Sequence, residues 1–443
     1  MALAVAVTAV LATANVVALQ TPWTATPQAL ASPAAPNSAQ PQLSVSTRGV
    51  LLSWIERSGD LATLRFSERT RSGWTAPKTV ASGRDWFVNW ADVPSVLRLP
   101  SGALVAHWLQ KSAASTYAYD VRLSTSIDEG KTWSPSFLPH HDGTPTEHGF
   151  ASLFPMGDGF GLVWLDGRSM LAPPKPGEGG KGGEHSEHGG GAMSVRFARF
   201  DPSTRPNTQS ASLRAGNPFK QVEETLVDAK VCECCPTAAA VTSEGIITAY
   251  RNRSDDEIRD NYVARFVNGK WTTPRAVFND NWKIAACPVN GPALAANGKS
   301  VAMSWFTVKG EQGQAYAAFS QDAGQTFSPP IRVDDGGTLG RVDLEMLPDG
   351  SALATWIEFV PLRANASGDK RESAAQFRAR RIDRNGMRSA PVTIAGIAGS
   401  RASGYPRAAI ANGEVVFAWT QSTDGGGLQV RTSVASLARR SSP

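Results

Sequence analysis

The sequence predicts an all-β fold built from one repeated four-stranded unit. Three observations support this prediction: a recurring strand motif, its regular spacing, and two copies of one turn motif. The composition agrees, because 41 Gly and 13 Trp among 443 residues suit a protein rich in turns and aromatic-anchored strands. A unit of roughly 50 residues repeated along a chain is typical of a β-propeller.

The strand motif is a Gly or polar turn, four to six apolar residues and then an aromatic residue. It ends at Trp54, Trp108, Trp164, Tyr250, Trp305, Trp356 and Trp419. Subtraction gives spacings of 54, 56, 86, 55, 51 and 63 residues. A short apolar run precedes the copies and a Trp/Pro-rich run follows several, which leaves room for four strands a unit. We therefore predict seven units, forming seven blades, or six if the first and last units share a blade.

The two ends of the repeat predict how the ring closes. The last unit has no clear fourth strand, so we expect the N-terminal segment to complete the ring. The spacing of 86 residues contains an insertion at 173–191, rich in Gly, Glu and His, which cannot bury a core. We assign one propeller domain to residues 41–440, with this insertion as a flexible loop between the second and third strands of the third unit.

Two turn segments share the pattern Ser-x-Asp-x-Gly-x-Thr-aromatic. Their key positions are Asp128, Gly130 and Trp133, and Asp322, Gly324 and Phe327. The Asp can accept hydrogen bonds from backbone donors of the turn, and the Gly can take a positive φ. The pattern resembles the Asp-box of the sialidase superfamily, whose BNR repeats form β-propellers. The resemblance implies peripheral turns between third and fourth strands, and it indicates an architecture rather than a reaction.

The N-terminus indicates export. Residues 1–20 resemble a signal peptide without a basic first region, and residues 21–40 have the composition of a Pro/Ala/Ser linker. A lone membrane anchor is the alternative, but the run is Ala-rich and barely long enough to span. We expect a periplasmic or secreted monomer with no membrane insertion after processing. The net charge of +5 comes from scattered Lys and Arg, so nucleic acid is not an expected partner.

Candidate site residues lie in the loops that enter the first strand of a unit or join its second and third strands. In a propeller these loops open on one face. The sialidase resemblance implies three Arg around a carboxylate, an Asp acid/base and a Tyr–Glu nucleophile pair. The catalytic candidates are Asp92, Tyr405 and Glu257, and the substrate-binding candidates are Arg168, Arg251, Arg341, Arg407, Trp86 and Trp90. Guanidinium groups can bond a carboxylate bidentately, which suits a glycan or another small acidic ligand.

Three functions stay open. The Arg-Ile-Pro motif that supplies the first Arg of sialidases is absent from the chain, and the same Arg and Asp residues could form ion pairs between blades. The three alternatives are a glycoside hydrolase of sialidase type, a non-catalytic propeller that binds a glycan or a protein, and a metal- or thiol-dependent protein. The first function requires Arg251 and two other Arg to converge on one pocket.

All four Cys fall in two equivalent places of the repeat, ahead of the fourth and fifth aromatic anchors. Cys232, Cys234 and Cys235 form one group, and Cys287 forms the other. We expect these side chains at the mouth of the central channel. An even number of Cys in an exported protein indicates disulfides, with Cys287 joining two blades. Four thiolates could instead hold a soft metal ion, Zn²⁺ or Cu⁺, and free or redox-active thiols are the third alternative.

Overall fold

Strands dominate the structure, a computed structural model. It describes residue 23 and residues 26–171, 191–203, 216–360, 374–423 and 425–437. These residues contain no α-helix, and 3₁₀ turns occur at Arg168–Leu171 and Arg401–Ser403. Within the same ranges, no helix is long and apolar enough to cross a membrane. The segments expected as a signal peptide and as the 173–191 insertion lie outside the described residues, except for Gly191.

The described strands form seven antiparallel sheets, which are the blades of a propeller. The N-terminal strand is β1 (Gln28–Leu30). Blades one to three contain β2 (Ser38–Ser46), β3 (Gly49–Ser58), β4 (Leu61–Thr70), β5 (Gly73–Trp74) and β6 (Lys78–Gly83), then β7 (Ser95–Arg98), β8 (Leu104–Lys111) and β9 (Tyr119–Ser126), then β10 (His148–Met156), β11 (Gly159–Asp166), β12 (Ser194–Pro202) and β13 (Phe219–Asp228).

The remaining blades follow the same order from the channel outward. Blades four to seven contain β14 (Ala238–Thr242), β15 (Gly245–Arg251), β16 (Asn261–Val267), β17 (Lys270–Trp271) and β18 (Arg275–Ala276), then β19 (Ala293–Asn297), β20 (Ser300–Lys309), β21 (Gln312–Ser320) and β22 (Ile331–Arg332), then β23 (Thr338–Met346), β24 (Ala352–Phe359), β25 (Ala374–Ile382) and β26 (Val392–Ala398), then β27 (Arg407–Ala411), β28 (Glu414–Ser422) and β29 (Leu428–Ser436).

The N-terminal strand closes the ring. β1 pairs with β29, with Gln28 opposite Val434, and so becomes the fourth strand of the last blade. The expectation that the N-terminal segment completes the ring is confirmed, and the described ring has seven blades rather than six. Residues 28–30 and the start of β2 therefore belong to the propeller, although the composition of residues 21–40 indicated a linker.

The hydrophobic core lies between the blades. The Trp that ends the repeated strand motif packs against the preceding blade: Trp164 of β11 contacts the cluster that contains Val121 of β9, and Trp54 of β3 contacts the cluster that contains Val416 of β28. Both Trp side chains are fully buried. Fully burying a large apolar side chain contributes roughly 2–3 kcal/mol to the free energy of folding. The repeated Trp therefore stabilises the contact between its blade and the preceding one.

The two Asp-box turns follow β9 and β21, the third strands of their blades, as the sequence predicts. Asp128 Oδ1 accepts hydrogen bonds from the backbone N of Thr132 (2.9 Å) and from Ser126 Oγ (2.9 Å). Burial alone would raise the pKa of Asp128, but these bonds and that of the Thr132 hydroxyl lower the pKa to about 2. Asp322 makes the same bonds in its own turn. The Asp therefore stabilises the turn as an anion.

One face of the propeller collects the loops in which site residues are expected. His148 at the start of β10 pairs with Asp166 at the end of β11, and Ser194 at the start of β12 lies opposite the same Asp. The loops that enter first strands and the loops that join second to third strands thus share a face, called the upper face below. Third strands end on the opposite, lower face, where the Asp-boxes lie.

Candidate functional site

Three thiols cluster on the upper face at the entry to blade four, and a fourth approaches one of them from blade five. The Sγ atoms of Cys232, Cys234 and Cys235, on the loop that enters β14, lie within 4.8 Å of one another. Cys232 and Cys235 are buried, with their Sγ atoms 3.4 Å apart. Cys287 lies on the loop that enters β19, is exposed, and brings its thiol against that of Cys234. All four thiols are free. The 3.4 Å between the sulfurs of Cys232 and Cys235 is far longer than the roughly 2.05 Å of a disulfide bond.

The thiols differ in their electrostatic surroundings. Arg259 Nη1 donates to Cys232 Sγ at 3.2 Å, and the backbone N of Asn290 donates to Cys235 Sγ at 3.4 Å. Burial alone would raise the pKa of Cys232, but hydrogen bonds from Cys234 and Cys235 and the charge of Arg259 hold it well below its usual range. Burial raises the pKa values of Cys234 and Cys235. Cys232 is therefore the thiol of the three that ionises most readily, and the thiolate is the metal-binding form of Cys.

An ion-pair network surrounds the thiols. Glu257 accepts hydrogen bonds from Arg253 (2.6 Å) and from Arg259 (3.0 Å), and Glu233 contacts both Arg. Glu257 is thus engaged in positioning Arg259. The hydroxyl of Tyr405 donates instead to the carbonyl of Val289 at 2.6 Å. The structure does not bring Tyr405 and Glu257 together as the nucleophile pair that the sialidase resemblance implies.

Arg251 is buried, and four of its five N–H donors are bonded to backbone carbonyls. The side chain is 1% exposed, and its guanidinium donates to the backbone carbonyls of Asn290 (2.8 Å), Arg259 (2.6 Å) and Phe306 (2.7 Å). Its face covers the ring of Trp282, 5.0 Å away. Arg251 therefore ties blades four and five together directly beneath the thiols.

Two of the other three candidate Arg lie around the same aromatic pair. Arg341 is buried, donates to the carbonyl of Ser400 at 2.9 Å and lies over Trp90, with 4.5 Å from the guanidinium to the ring centre. Arg407 lies over Tyr405, which stacks on Trp90, and faces Asp343 at 3.7 Å. Arg168 instead pairs with Asp166 at 2.7 Å in blade three. Of the four candidate Arg, Arg341 and Arg407 therefore share surroundings, whereas Arg251 and Arg168 are engaged elsewhere.

Asp92 belongs to a buried acidic group that the sequence reasoning largely missed. Tyr119 donates its hydroxyl to Glu147 Oε1 at 2.6 Å and contacts Asp92 Oδ2 at 3.3 Å. All three side chains are buried. Burial raises the pKa of Asp92 to about 7 and that of Glu147 to about 8. Ionisation of both carboxyl groups is thus shifted towards neutral pH, which makes them weaker acids than ordinary Asp and Glu side chains.

The candidate Trp residues are half-buried at neighbouring positions. Trp86 stacks on Trp108 with ring centres 5.4 Å apart, and Trp90 stacks on Tyr405 at 6.0 Å. Each ring covers other aromatic or Arg side chains. Both Trp residues therefore contribute to packing in the described structure.

A central channel passes the first strands of all seven blades. Its cavity of about 240 Å³ is lined by residues of β2, β7, β10, β19, β23 and β27 and by the segment that enters β14. Its charged lining includes Asp92, Asp343, Glu345 and Arg407. A second, polar groove of about 370 Å³ lies on the lower face between blades five and six, where Asn297 and Asp349 line it.

Comparisons with known proteins find similarity only among solved structures. No family model matches the chain, and no curated protein sequence matches it. A protein of unknown function from Dyadobacter fermentans is similar in structure, with TM-score 0.47, 13% identity, and 94% of this chain and 99% of that chain covered. The Trypanosoma rangeli sialidase in complex with the inhibitor DANA gives TM-score 0.42 and 12% identity, covering 83% of this chain and 57% of the sialidase. A PL25 ulvan lyase gives TM-score 0.42, 10% identity and 72% and 76% coverage.

Proposed function

We propose that the protein binds a soft metal ion, Cu⁺ or Zn²⁺, through Cys232, Cys234, Cys235 and Cys287. The observation that supports the proposal is a group of three free thiols within 4.8 Å of one another, with the free thiol of Cys287 approaching Cys234 from the entry loop of the neighbouring blade. Thiolates select soft ions over Mg²⁺, Ca²⁺ and Mn²⁺, so the donor set narrows the choice of metal.

The spacing of the sulfurs suits one ion. Sulfur atoms bound to a tetrahedral Zn²⁺ at about 2.3 Å lie roughly 3.8 Å apart. Cys232 and Cys235 are 3.4 Å apart, and Cys234 lies within 4.8 Å of both. Displacements of no more than about 1 Å would bring these three sulfurs to the separation that one bound ion requires. Cys287 would add the fourth ligand from blade five.

The surrounding charges also suit the bound state. Metal binding releases protons from thiols, and four thiolates with Zn²⁺ carry a net charge of −2. Arg259 contacts Cys232, and the charge of Arg251 acts on Cys235. Arg259 also pairs with Glu233 and Glu257, so of these two cations it is Arg251, held by backbone carbonyls, whose charge offsets the thiolates. A disulfide would leave no anion among the sulfurs for Arg251, which favours the metal over the covalent alternative.

Exposure of one ligand favours a site that exchanges its ion. Cys232 and Cys235 lie in the interior, whereas Cys287 is exposed at the surface. An ion could therefore enter or leave through Cys287 without opening the blades. Structural zinc sites enclose all four ligands, so this arrangement suits capture or delivery of metal.

The test is metal analysis of the full chain purified without chelator under anaerobic conditions. We expect about one Cu or Zn per chain, its loss in Cys235→Ser, and weakened retention in Cys287→Ser. Ser243→Ala, on the lower-face turn of the same blade, serves as a control and should keep the metal. Four thiols should react after chelation without a reductant. Absence of metal together with fewer than four reactive thiols would instead establish disulfides.

A glycan-directed function of sialidase type is the second candidate, and one observation favours it. The Tyr119–Glu147–Asp92 group contains the residue types that the sialidase resemblance requires, although different residues supply the Tyr and the Glu. Solved structures of similar fold include a sialidase and a polysaccharide lyase. Because the group is buried and the candidate Arg are engaged, we expect no turnover of an aryl sialoside between pH 4 and 8. Turnover that Glu147→Gln abolishes, with the fold intact, would establish this second function.

A further inference from the structure

The four thiols of the cluster differ in their access to solvent. Cys287 is exposed, Cys234 is half-buried, and Cys232 and Cys235 lie in the interior. Cys234 contacts the thiol of Cys287 and also lies within 4.8 Å of the two buried sulfurs. The sulfurs therefore form a chain from the surface to the interior, with Cys287 at its outer end.

The buried pair at the inner end of this chain can close a disulfide. Cys232 and Cys235 flank a turn whose central residues are Glu233 and Cys234. A β-turn brings the Cα atoms of its first and fourth residues within about 7 Å, and disulfides join Cα atoms roughly 4.4–6.8 Å apart. The two Sγ atoms are already 3.4 Å apart. The bond therefore requires adjustment within the turn and no movement of the blades.

The buried cation next to the sulfurs favours their reduced state. Arg251 is held by backbone carbonyls, and its charge acts on Cys235. A disulfide carries no charge, so oxidation removes the anionic partner that thiolates or a metal–thiolate group would offer this cation. A disulfide whose reduced form is stabilised is readily reduced again. A disulfide between the buried sulfurs is thus reversible rather than a permanent cross-link.

We propose that the cluster exchanges thiols with small-molecule disulfides such as oxidised glutathione, and that this exchange controls whether the metal ion is held. The proposal rests on the metal-binding function proposed above. Its structural basis is the order of the sulfurs: an exposed thiol that a disulfide in solution can reach, an intermediate thiol, and a buried pair. The connected sulfurs give an oxidant a route from the surface to the buried ligands.

The exchange proceeds through two thiols before it reaches the buried pair. The Cys287 thiolate attacks one sulfur of the small disulfide, whose S–S bond breaks, and one small thiolate leaves. Cys234 then attacks Cys287 Sγ, displaces the second small thiolate and forms a Cys234–Cys287 disulfide. Cys232 attacks Cys234 Sγ and frees Cys287. Cys235 finally attacks Cys232 Sγ and frees Cys234.

The net reaction oxidises the buried pair. Cys232 and Cys235 together lose two electrons and two protons, which the small disulfide gains as it becomes two thiols. The resulting disulfide removes two of the four proposed ligands. Cys234 and Cys287 remain, and Cys287 is exposed, so the ion is open to solvent and is released. Reduction restores all four thiols and the site.

The test follows metal release and thiol loss together. The full chain is reduced, loaded with Zn²⁺ and mixed anaerobically with excess oxidised glutathione and a chromophoric zinc indicator. We expect release of the ion, loss of two thiols per chain and an internal disulfide in the peptide 231–251. Addition of reductant should restore the thiols. If the wild type keeps its ion and all four thiols, the exchange proposal is wrong and the metal site stands.

Variants test the route of the exchange, with thiol loss measured in the metal-free chain so that differences in metal affinity do not matter. Cys287→Ser should slow thiol loss about 10-fold or more, because buried thiols react only through local opening. Cys234→Ser should stop at one glutathione bound covalently to Cys287. Ser243→Ala, exposed on the lower-face turn of the same blade, is the matched control and should react like wild type.

The outcomes separate this proposal from the metal site. A reduced chain that binds no Zn²⁺ refutes the metal site, and the proposed control of metal binding is then refuted with it, whereas the thiol loss still measures the exchange. Thiol loss in Cys287→Ser at the wild-type rate refutes the route through the surface thiol. Because Cys287 is exposed, its replacement should leave the fold intact, which the melting temperature of the reduced variant verifies. Should Cys234→Ser fail to fold, Cys287→Ser decides.

Discussion

Replacing Glu147 by Gln should make the protein less sensitive to pH. Glu147 is 8% exposed and accepts the hydroxyl of Tyr119 at 2.6 Å, a bond that Gln can keep through its own oxygen. Burial raises the pKa of the Glu147 carboxyl from its ordinary value of 4.5 to about 8, and the charges of Asp92 and Glu233 add to the shift. Gln retains the shape and removes the ionisation.

The sign and size of the effect follow from the shift in pKa. A carboxyl whose folded pKa is raised stabilises the fold below its unfolded pKa, and this contribution is lost as pH rises through the folded pKa. Between pH 5 and pH 8 the unfolded chain releases the Glu147 proton while the folded chain largely retains it. At 1.36 kcal/mol for each pKa unit, the wild type should lose about 3 kcal/mol more than Glu147→Gln over that range.

Equilibrium urea unfolding of both proteins at pH 5, 6, 7 and 8, with chelator present, measures this difference. We expect nearly equal midpoints at pH 5 and a higher midpoint for Glu147→Gln at pH 8. Glu244→Gln is a suitable control, because hydrogen bonding to Lys299 lowers the pKa of the Glu244 carboxyl and places its titration below this range. Parallel pH profiles for wild type and Glu147→Gln would refute the reasoning, since Glu147 would then be ionised in the folded protein.

Three further predictions concern the scaffold. Gly324→Ala places a Cβ 2.2 Å from Ile247 Cδ1 of blade four, at a backbone φ of +84, so we expect thermal unfolding to show a loss of stability of about 2–4 kcal/mol. The control Gly298→Ala has a φ of +62 and open space around the new Cβ, and should lose about 1 kcal/mol. Equal losses in the two variants would mean that the contact with blade four is unimportant. Tyr119→Phe leaves Glu147 and Asp92 without their shared donor and should cost about 1–3 kcal/mol, measured by urea unfolding at pH 6, and an unchanged midpoint would exclude the bond. Deleting residues 1–31 removes β1 and should lower the melting temperature and speed proteolysis, whereas deleting residues 438–443 should do neither; equal behaviour would argue against ring closure by β1.

The fold was predictable because its signals are local and repeated. An apolar run that ends in Trp indicates a buried second strand in each unit. The Ser-x-Asp-x-Gly-x-Thr pattern contains the hydrogen-bond donors and acceptors that form its own turn. The missing fourth strand of the last unit even indicated how the ring closes. Each of these inferences needs only neighbouring residues and the count of the repeats.

The site was less predictable because it depends on where side chains point. The repeat placed Arg251 on the upper face, but nothing near it in sequence shows that three carbonyls from distant segments occupy its guanidinium. The four Cys were the exception, because two equivalent repeat positions on neighbouring blades must be close in any propeller.

Closure by β1 imposes an order on folding. Gln28 pairs with Val434, which lies 406 residues later in the chain, so β1 has no partner until β29 has formed. Joining segments so distant costs about 5 kcal/mol of chain entropy. Contacts of this separation form late and slowly, whereas the blades between them can assemble as they are synthesised. Among the described strands of the ring, the one synthesised earliest is thus the last to be placed, and until then the outer edge of β29 stays open to pairing with another chain.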